Sequence, residues 1–175
     1  PGLVYSYHGG NRKRDANVLA KNAIVVTTYA VLQSDETYWR GKSNDPNYCA
    51  PCEQVRWWRI ICDESHSIRD ASTKQFKALD RLTAANKWCV TGTPMNTTPM
   101  DLKSQLRFVG LSYVDKMFSM FNSNMSAVFK SNGGRKRRRS YESSGNREIG
   151  PFLFFMKNIM IRHSLSQTNR ETKKL

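Results

Sequence analysis

Three short runs rich in apolar and β-branched residues, each separated from the next by room for a helix, constrain this chain most. They are Ala23-Ile24-Val25-Val26-Thr27-Thr28, Trp57-Trp58-Arg59-Ile60-Ile61-Cys62 and Lys87-Trp88-Cys89-Val90-Thr91. Runs of this kind, without polar alternation, are expected of parallel strands covered on both faces. Strands alternating with helical segments imply an α/β fold, a mainly parallel sheet flanked by helices.

The intervening segments fit that plan. Leu3 to Tyr7 reads as another short strand, and residues 11–21 as a surface helix. Tyr29 to Gln33 suits a helical turn. Residues 34–54 carry Gly, Pro, Asn and many charges and read as a loop or insertion. Ser72 with Gln75 fits a capping box that opens a helix through about Leu82, with Phe76, Leu79 and Leu82 on its inner face. Thr98 and Pro99 suit the start of the next helix, which Gly110 should end. Further helices are expected over 114–129 and 151–162.

The second run ends on Asp63-Glu64-Ser65-His66, and the third leads into Thr91-Gly92-Thr93-Pro94. Adjacent acids at the end of a buried strand are costly unless something uses them. A nucleotide-hydrolysing site does. One carboxylate, here Asp63, holds a magnesium ion bridging the phosphates, and the next, Glu64, orients or deprotonates the attacking water. Such a base is typically worth about 10²–10⁴ in rate. An acidic pair alone also suits a helix start. At the carboxyl end of a central parallel strand, with hydroxyls and amides of Thr91, Gly92 and Thr93 beside it, the pair points to a ligand site. His66 is near enough to share that site.

Other motifs carry less. Gly41-Lys42-Ser43 is not a phosphate loop, because the glycine required five residues before Gly41 is Glu36. Cys49-Ala50-Pro51-Cys52 has the spacing of half a zinc site. Further ligands are not evident, since Cys62 and Cys89 fall in strands and His8, His66 and His163 are scattered, so a reduced, metal-free loop is expected. Arg135-Lys136-Arg137-Arg138-Arg139, between Gly133-Gly134 and Ser140, suits a DNA contact or an import signal. The chain of 175 residues carries 28 Lys and Arg against 14 Asp and Glu, a net charge of +14 that favours a polyanionic partner. No apolar run approaches the roughly 18 residues of a membrane span, so no membrane partner is expected. The start has no leader pattern. It also lacks an initiating Met, as in a fragment.

Taken in order, these segments resemble the first motor lobe of SWI/SNF-type helicase-like ATPases. Ile24 to Tyr29 resembles the strand before the acidic box, Trp58 to Arg69 the box itself, and Trp88 to Pro94 the motif after it. Asp101 to Phe108 resembles the following helix, and Ile159 to His163 the end of the lobe. The paired tryptophans and Arg69 are similar to the Rad-type DNA-repair branch. The resemblance implies the distal part of a RecA-like lobe of a DNA-dependent ATPase that uses ATP and magnesium. In it, Asp63 and Glu64 take the metal and water roles, and His66, Thr91, Gly92 and Thr93 couple nucleotide state to DNA. It also implies duplex DNA or chromatin and a second motor lobe as partners, and a nuclear location. The expected organisation is a partial lobe over 1–130, a flexible basic insertion over 131–150, and a closing helix with the start of a linker over 151–175.

Departures from the pattern are Ser65 for Ala, Met95-Asn96-Thr97 for Leu-Gln-Asn, and Arg162-His163 for Arg-Arg. Without a phosphate loop or second lobe, the 175 residues alone are expected to be inactive. Two rivals are an RNA helicase of the Asp-Glu-Ala-His class, against which Thr-Gly-Thr in place of Ser-Ala-Thr counts, and a non-hydrolysing DNA-binding scaffold.

Overall fold

A computed structural model describes residues 2–42, 49–95, 100–119 and 154–161. The chain divides into two compact units, Pro1–Asp115 and Lys116–Leu175. In the first, the order is β1 (Val4–Ser6), α1 (Ala16–Ala20), β2 (Ile24–Val26), α2 (Tyr29–Lys42), β3 (Trp57–Cys62), a 3-10 turn (Ser65–Ile68), α3 (Lys74–Asp80), β4 (Ala84–Cys89) and α4 (Asp101–Phe108). In the second, residues 154–159 are helical.

Every strand pairing in the described residues is parallel, as the α/β reading requires. The strands form two separate pairs, β1 with β2 and β3 with β4. Strand β3, expected to be central, therefore has β4 as its one partner among the described residues. Nor are the strands covered on both faces. Val25 and Ile60 pack against the core, while Ile24 and Val26 are 51% and 55% exposed, Ile61 59% and Trp88 50%. Each pair has its described packing layer on one face only. On the open face, Arg59 stacks over Trp88 at 5.0 Å, a cation–π contact that partly shields the indole.

The core cluster gathers Tyr7, Leu19, Val31, Leu32, Cys62, Ile68, Phe76, Leu79, Leu82 and Phe108. The predicted inner face of α3 is thus correct. Its start differs by one residue. Thr73, not Ser72, is the cap, its hydroxyl accepting from the Phe76 amide at 3.2 Å. Ser72 instead lies in a turn in which Asp70 Oδ1 accepts its amide at 2.8 Å. Burying Phe76 and Leu79 contributes on the order of 1.5–3 kcal/mol each.

The largest departure is α2. The charged segment from Ser34 onward continues the helix to Lys42. Its acids find partners mainly outside the helix. Asp35 is buried and accepts from Tyr7, Arg12 and Arg14. Glu36 pairs with Arg40 within the helix and with Arg81 beyond α3. Helix α1 is shorter than expected and begins at the Asp15 cap. Helix α4 ends as expected at Gly110, which adopts φ 96°. The Gly110 amide donates to Arg107 O and the Leu111 amide to Leu106 O, a Schellman closure that favours glycine. Thr98 and Pro99, the proposed helix start, lie outside the described residues, as does most of 114–129 beyond the helical stretch 114–119.

Candidate active site

Strands β3 and β4 run side by side in parallel, with Cys62 opposite Cys89. The ladder continues beyond them: the Val90 amide donates to Cys62 O at 2.8 Å, and the Ser65 amide to Val90 O at 3.0 Å. This register puts Asp63-Glu64 at the carboxyl end of one strand and Thr91-Gly92-Thr93 at the same end of its neighbour. The turn between β3 and the 3-10 turn is made by Glu64 in the left-handed region, φ 47° and ψ 47°. For a non-glycine residue this conformation costs on the order of 1–3 kcal/mol. The Glu64 carbonyl accepts the Ser67 amide, which holds the turn in place.

The side chains converge. Glu64 Oε2 lies 3.1 Å from His66 Nδ1. The same Nδ1 lies 3.3 Å from Thr91 Oγ1, which in turn accepts the Thr93 amide at 3.2 Å. The carboxylate and the hydroxyl thus meet at one imidazole nitrogen, between the acidic turn and the Thr-Gly-Thr turn. With a proton on Nδ1, the imidazole donates toward the carboxylate. The pair is solvent-facing, Glu64 at 66% side-chain exposure, so it orients groups more than it stabilises the fold. Asp63 Oδ1 accepts the Glu64 amide at 2.9 Å, and its carbonyl accepts from Tyr29 Oη at 2.7 Å. Burial, with Cys62, Cys89 and Asp63 nearby, pushes the Tyr29 phenol above its ordinary range, so Tyr29 serves as a neutral donor.

All six residues expected from the sequence, Asp63, Glu64, His66, Thr91, Gly92 and Thr93, are therefore in one place, on exposed turns at the strand ends. A Cβ added at Gly92 would meet nothing within 4 Å, so internal packing does not require glycine there. The residues suit magnesium in one particular way. No group of three or more His, Cys, Asp or Glu among the described residues could hold a metal, so there is no all-protein cage. Magnesium bound to phosphates and waters needs only one or two carboxylates, and Asp63 offers an exposed one.

Other expectations fall elsewhere. Arg135, Lys136, Arg137, Arg138 and Arg139 lie outside the described residues, as do Asn96, Thr97, Arg162 and His163. Cys52 is in the core, where burial pushes its thiol up to about 12, and Cys49 is half-buried. A cavity of about 380 Å³ lies against α4, lined by Arg69, Asp70, Asp101 and Arg107 among others. It holds none of the six site residues.

The residue that sequence reasoning missed is Gln105. It is buried on α4 and bonds to Ser65 in the acidic turn. The signal was present. Gln105 stands three residues after Leu102, on the face that Leu102 and Leu106 bury, where a polar side chain needs a partner.

Comparison with known proteins bears on the whole chain. Residues 3–174 match the family model described as SNF2-related domain. DNA repair protein RAD5A of Arabidopsis thaliana is 30% identical over 168 residues, 96% of this chain and 15% of that protein. The helicase-like transcription factor of Oryctolagus cuniculus is 36% identical over 137 residues, 78% of this chain and 13% of that protein. A putative SWI/SNF-related regulator of chromatin of subfamily A, member 3-like 1, from Arabidopsis thaliana, is 40% identical over 111 residues, 62% of this chain and 12% of its own. The chain thus spans 12–15% of the length of these relatives. In fold it resembles the Sulfolobus solfataricus SWI2/SNF2 ATPase core solved in complex with dsDNA. That likeness has a TM-score of 0.53 at 24% identity and covers 86% of this chain and 27% of that one.

Proposed function

The chain belongs to the SNF2-related domain family, and from that premise we propose that it is the distal part of the first RecA-like lobe of a DNA-dependent ATPase. The whole protein would couple ATP hydrolysis to movement on duplex DNA, in repair or chromatin remodelling, in the nucleus. The observation that carries this reading is the pairing of two strand ends. Parallel register brings Asp63-Glu64 beside Thr91-Gly92-Thr93, and His66 bridges them.

In this reading Asp63 holds magnesium through water on the phosphates of ATP. Bound there, magnesium would supply charge neutralisation for phosphoryl transfer, with Asp63 as the residue that would hold it. Glu64 orients and deprotonates the attacking water, and its exposed carboxylate is free on the solvent side to do so. His66 reports the position of Glu64 to Thr91. Thr91, in turn, holds the Thr93 amide, so when His66 Nδ1 exchanges the Glu64 carboxylate for the Thr91 hydroxyl as its partner, a change at the acids reaches the Thr-Gly-Thr turn. Gly92 leaves that turn open to a close neighbour. The partners are duplex DNA and the second motor lobe, with Arg135 to Arg139 as a phosphate contact within a basic insertion at 131–150. The partial lobe occupies 1–130, and 151–175 closes it and begins the linker.

The test uses the full-length protein that contains this chain, assayed for ATP turnover with duplex DNA, RNA and neither. Duplex DNA should stimulate most. Glu64→Gln keeps the shape and removes the base, so turnover should fall about 10²–10⁴-fold. Nucleotide binding should stay largely intact, because a water activator acts mainly in the transition state. Near-normal turnover in that variant would remove Glu64 from the role. Stimulation by RNA alone would favour the RNA-helicase class, and no turnover by the wild type would favour a scaffold.

A further inference from the structure

We propose that Gln105 is a positioning residue that locks the acidic turn to the Thr-Gly-Thr-Pro turn, with Ser65 as its handle. The proposal rests on the activity assigned to this site above, and it adds a residue that neither the acidic box nor the Thr-Gly-Thr motif contains.

Gln105 is 3% exposed and Ser65 is 0% exposed. Ser65 Oγ donates to Gln105 Oε1 at 2.8 Å. Gln105 Nε2 donates to Pro94 O at 2.9 Å and to Asp101 O at 3.0 Å. Both amide hydrogens and the carbonyl oxygen are therefore engaged. One arm reaches the residue between Glu64 and His66, and another reaches the residue after Thr93. The third fixes the side chain to its own helix. The neighbouring Ser104 adds a second strut: its Oγ donates to Arg69 O at 2.8 Å. Helix α4 thus grips the 3-10 turn at its first residue through Gln105 and just past its last through Ser104.

This arrangement depends on Ser65. Alanine there could not donate, and the Gln105 oxygen would be buried without that partner. Buried bonds in a low dielectric are stiff, and an unpaired group there costs about 1–3 kcal/mol. Neither turn can shift without breaking a bond to the same amide. The exposed chain through His66 and the buried one through Gln105 are two independent links between the same two turns. The buried one is shielded from solvent competition, and so it sets their spacing.

The experiment uses the full-length protein, with Gln105→Leu and the double variant Ser65→Ala/Gln105→Leu. The double variant removes the orphaned hydroxyl and should recover most of the thermal stability lost in the single one. Two readouts are taken on each protein. The first is amide hydrogen exchange over residues 62–69 and 90–95, with α3 as internal reference. The second is the ratio of DNA-stimulated to basal turnover, with KM for ATP. For a positioning role, both variants exchange faster in the two turns but not in α3. The stimulation ratio falls roughly 10–100-fold, as expected of a small misplacement of reacting groups, and KM changes little. The double variant regains stability and not stimulation. If stability, exchange and stimulation all return together in the double variant, or never change in either, Gln105 is packing and the proposal is overturned. If Gln105→Leu does not fold, the double variant decides alone. If the wild type shows no DNA-stimulated turnover yet the exchange pattern changes as described, the lock stands and the assigned activity fails.

Discussion

Replacing Asp35 with alanine should be among the most damaging single changes in the first unit. Asp35 is 2% exposed and lies inside α2, its carboxylate facing three donors. Tyr7 Oη bonds to Oδ2, Arg12 Nη2 to Oδ1 at 2.5 Å, and Arg14 Nε to Oδ1 at 3.0 Å. Arg12 is itself only 6% exposed at the side chain. Without Asp35 it keeps the Gly9 carbonyl and the Tyr7 ring, neither of which is a counter-charge. Breaking one side of a buried ion pair costs about 3–5 kcal/mol. Arg14, at 27% side-chain exposure, can rehydrate, which argues against a larger figure. At about 2–4 °C per kcal/mol for a chain of this size, melting should drop by roughly 6–20 °C in calorimetry at pH 7. Tyr7→Phe, which removes one bond to a charged group, should lose about 1.5–3 kcal/mol. The pH dependence gives a second check. Burial raises the Asp35 carboxyl, but bonds from Arg12, Tyr7 and Arg14 outweigh it and hold the pKa below the ordinary value. A depressed folded pKa gives stability that is complete above the unfolded value, about 3.9, and that erodes as pH falls through the lower folded one. The gap between wild type and Asp35→Ala should therefore hold from pH 7 to 5 and narrow below about pH 4. A loss under about 1 kcal/mol at neutral pH, or a gap that closes between pH 7 and 5, would refute the buried-pair account.

Two further outcomes test separate parts of the chain. Burial pushes the thiols of Cys52 and Cys62 up to about 12 and that of Cys89 up to about 11, so all three should resist iodoacetamide at pH 8 until the protein is unfolded. Labelling of Cys62 in the native protein at the unfolded rate would mean that the end of β3 is open. In the full-length protein, changing Arg135 to Arg139 to serine should leave the melting temperature nearly unchanged, since surface substitutions cost little. It should weaken nonspecific duplex-DNA binding and flatten its salt dependence. An unaltered salt slope would exclude the run as a DNA contact and leave nuclear import as its use.

Local chemistry was enough to place the strands and to mark the candidate residues at their ends. Apolar runs at Ile24, Trp57 and Trp88 mark strands because they are rich in β-branched and aromatic residues, and the parallel pairing follows from the helices between them, although each run is covered on one face only. Asp63, Glu64, His66 and Thr91 to Thr93 were legible because a carboxyl strand end is fixed by sequence position: wherever a parallel strand stops, the next residues stand on the ligand side of the sheet. Gly110 was legible for the same kind of reason, since its left-handed turn favours glycine. What the tertiary structure decided are the polar groups whose partners are distant in sequence. Residues 34–42 looked like a loop because, apart from Glu36 with Arg40, their charges have little local answer. They are a helix because Tyr7, Arg12, Arg14 and Arg81 supply one from 21 to 45 residues away. Gln105 looked like one more residue of an amphipathic helix, and its role exists only because Ser65, 40 positions earlier, meets it in the core. Periodicity records which face of an element is apolar. It does not record which distant donor will satisfy a buried acceptor, and in this fold those pairings set both the length of α2 and the grip of α4 on the acidic turn.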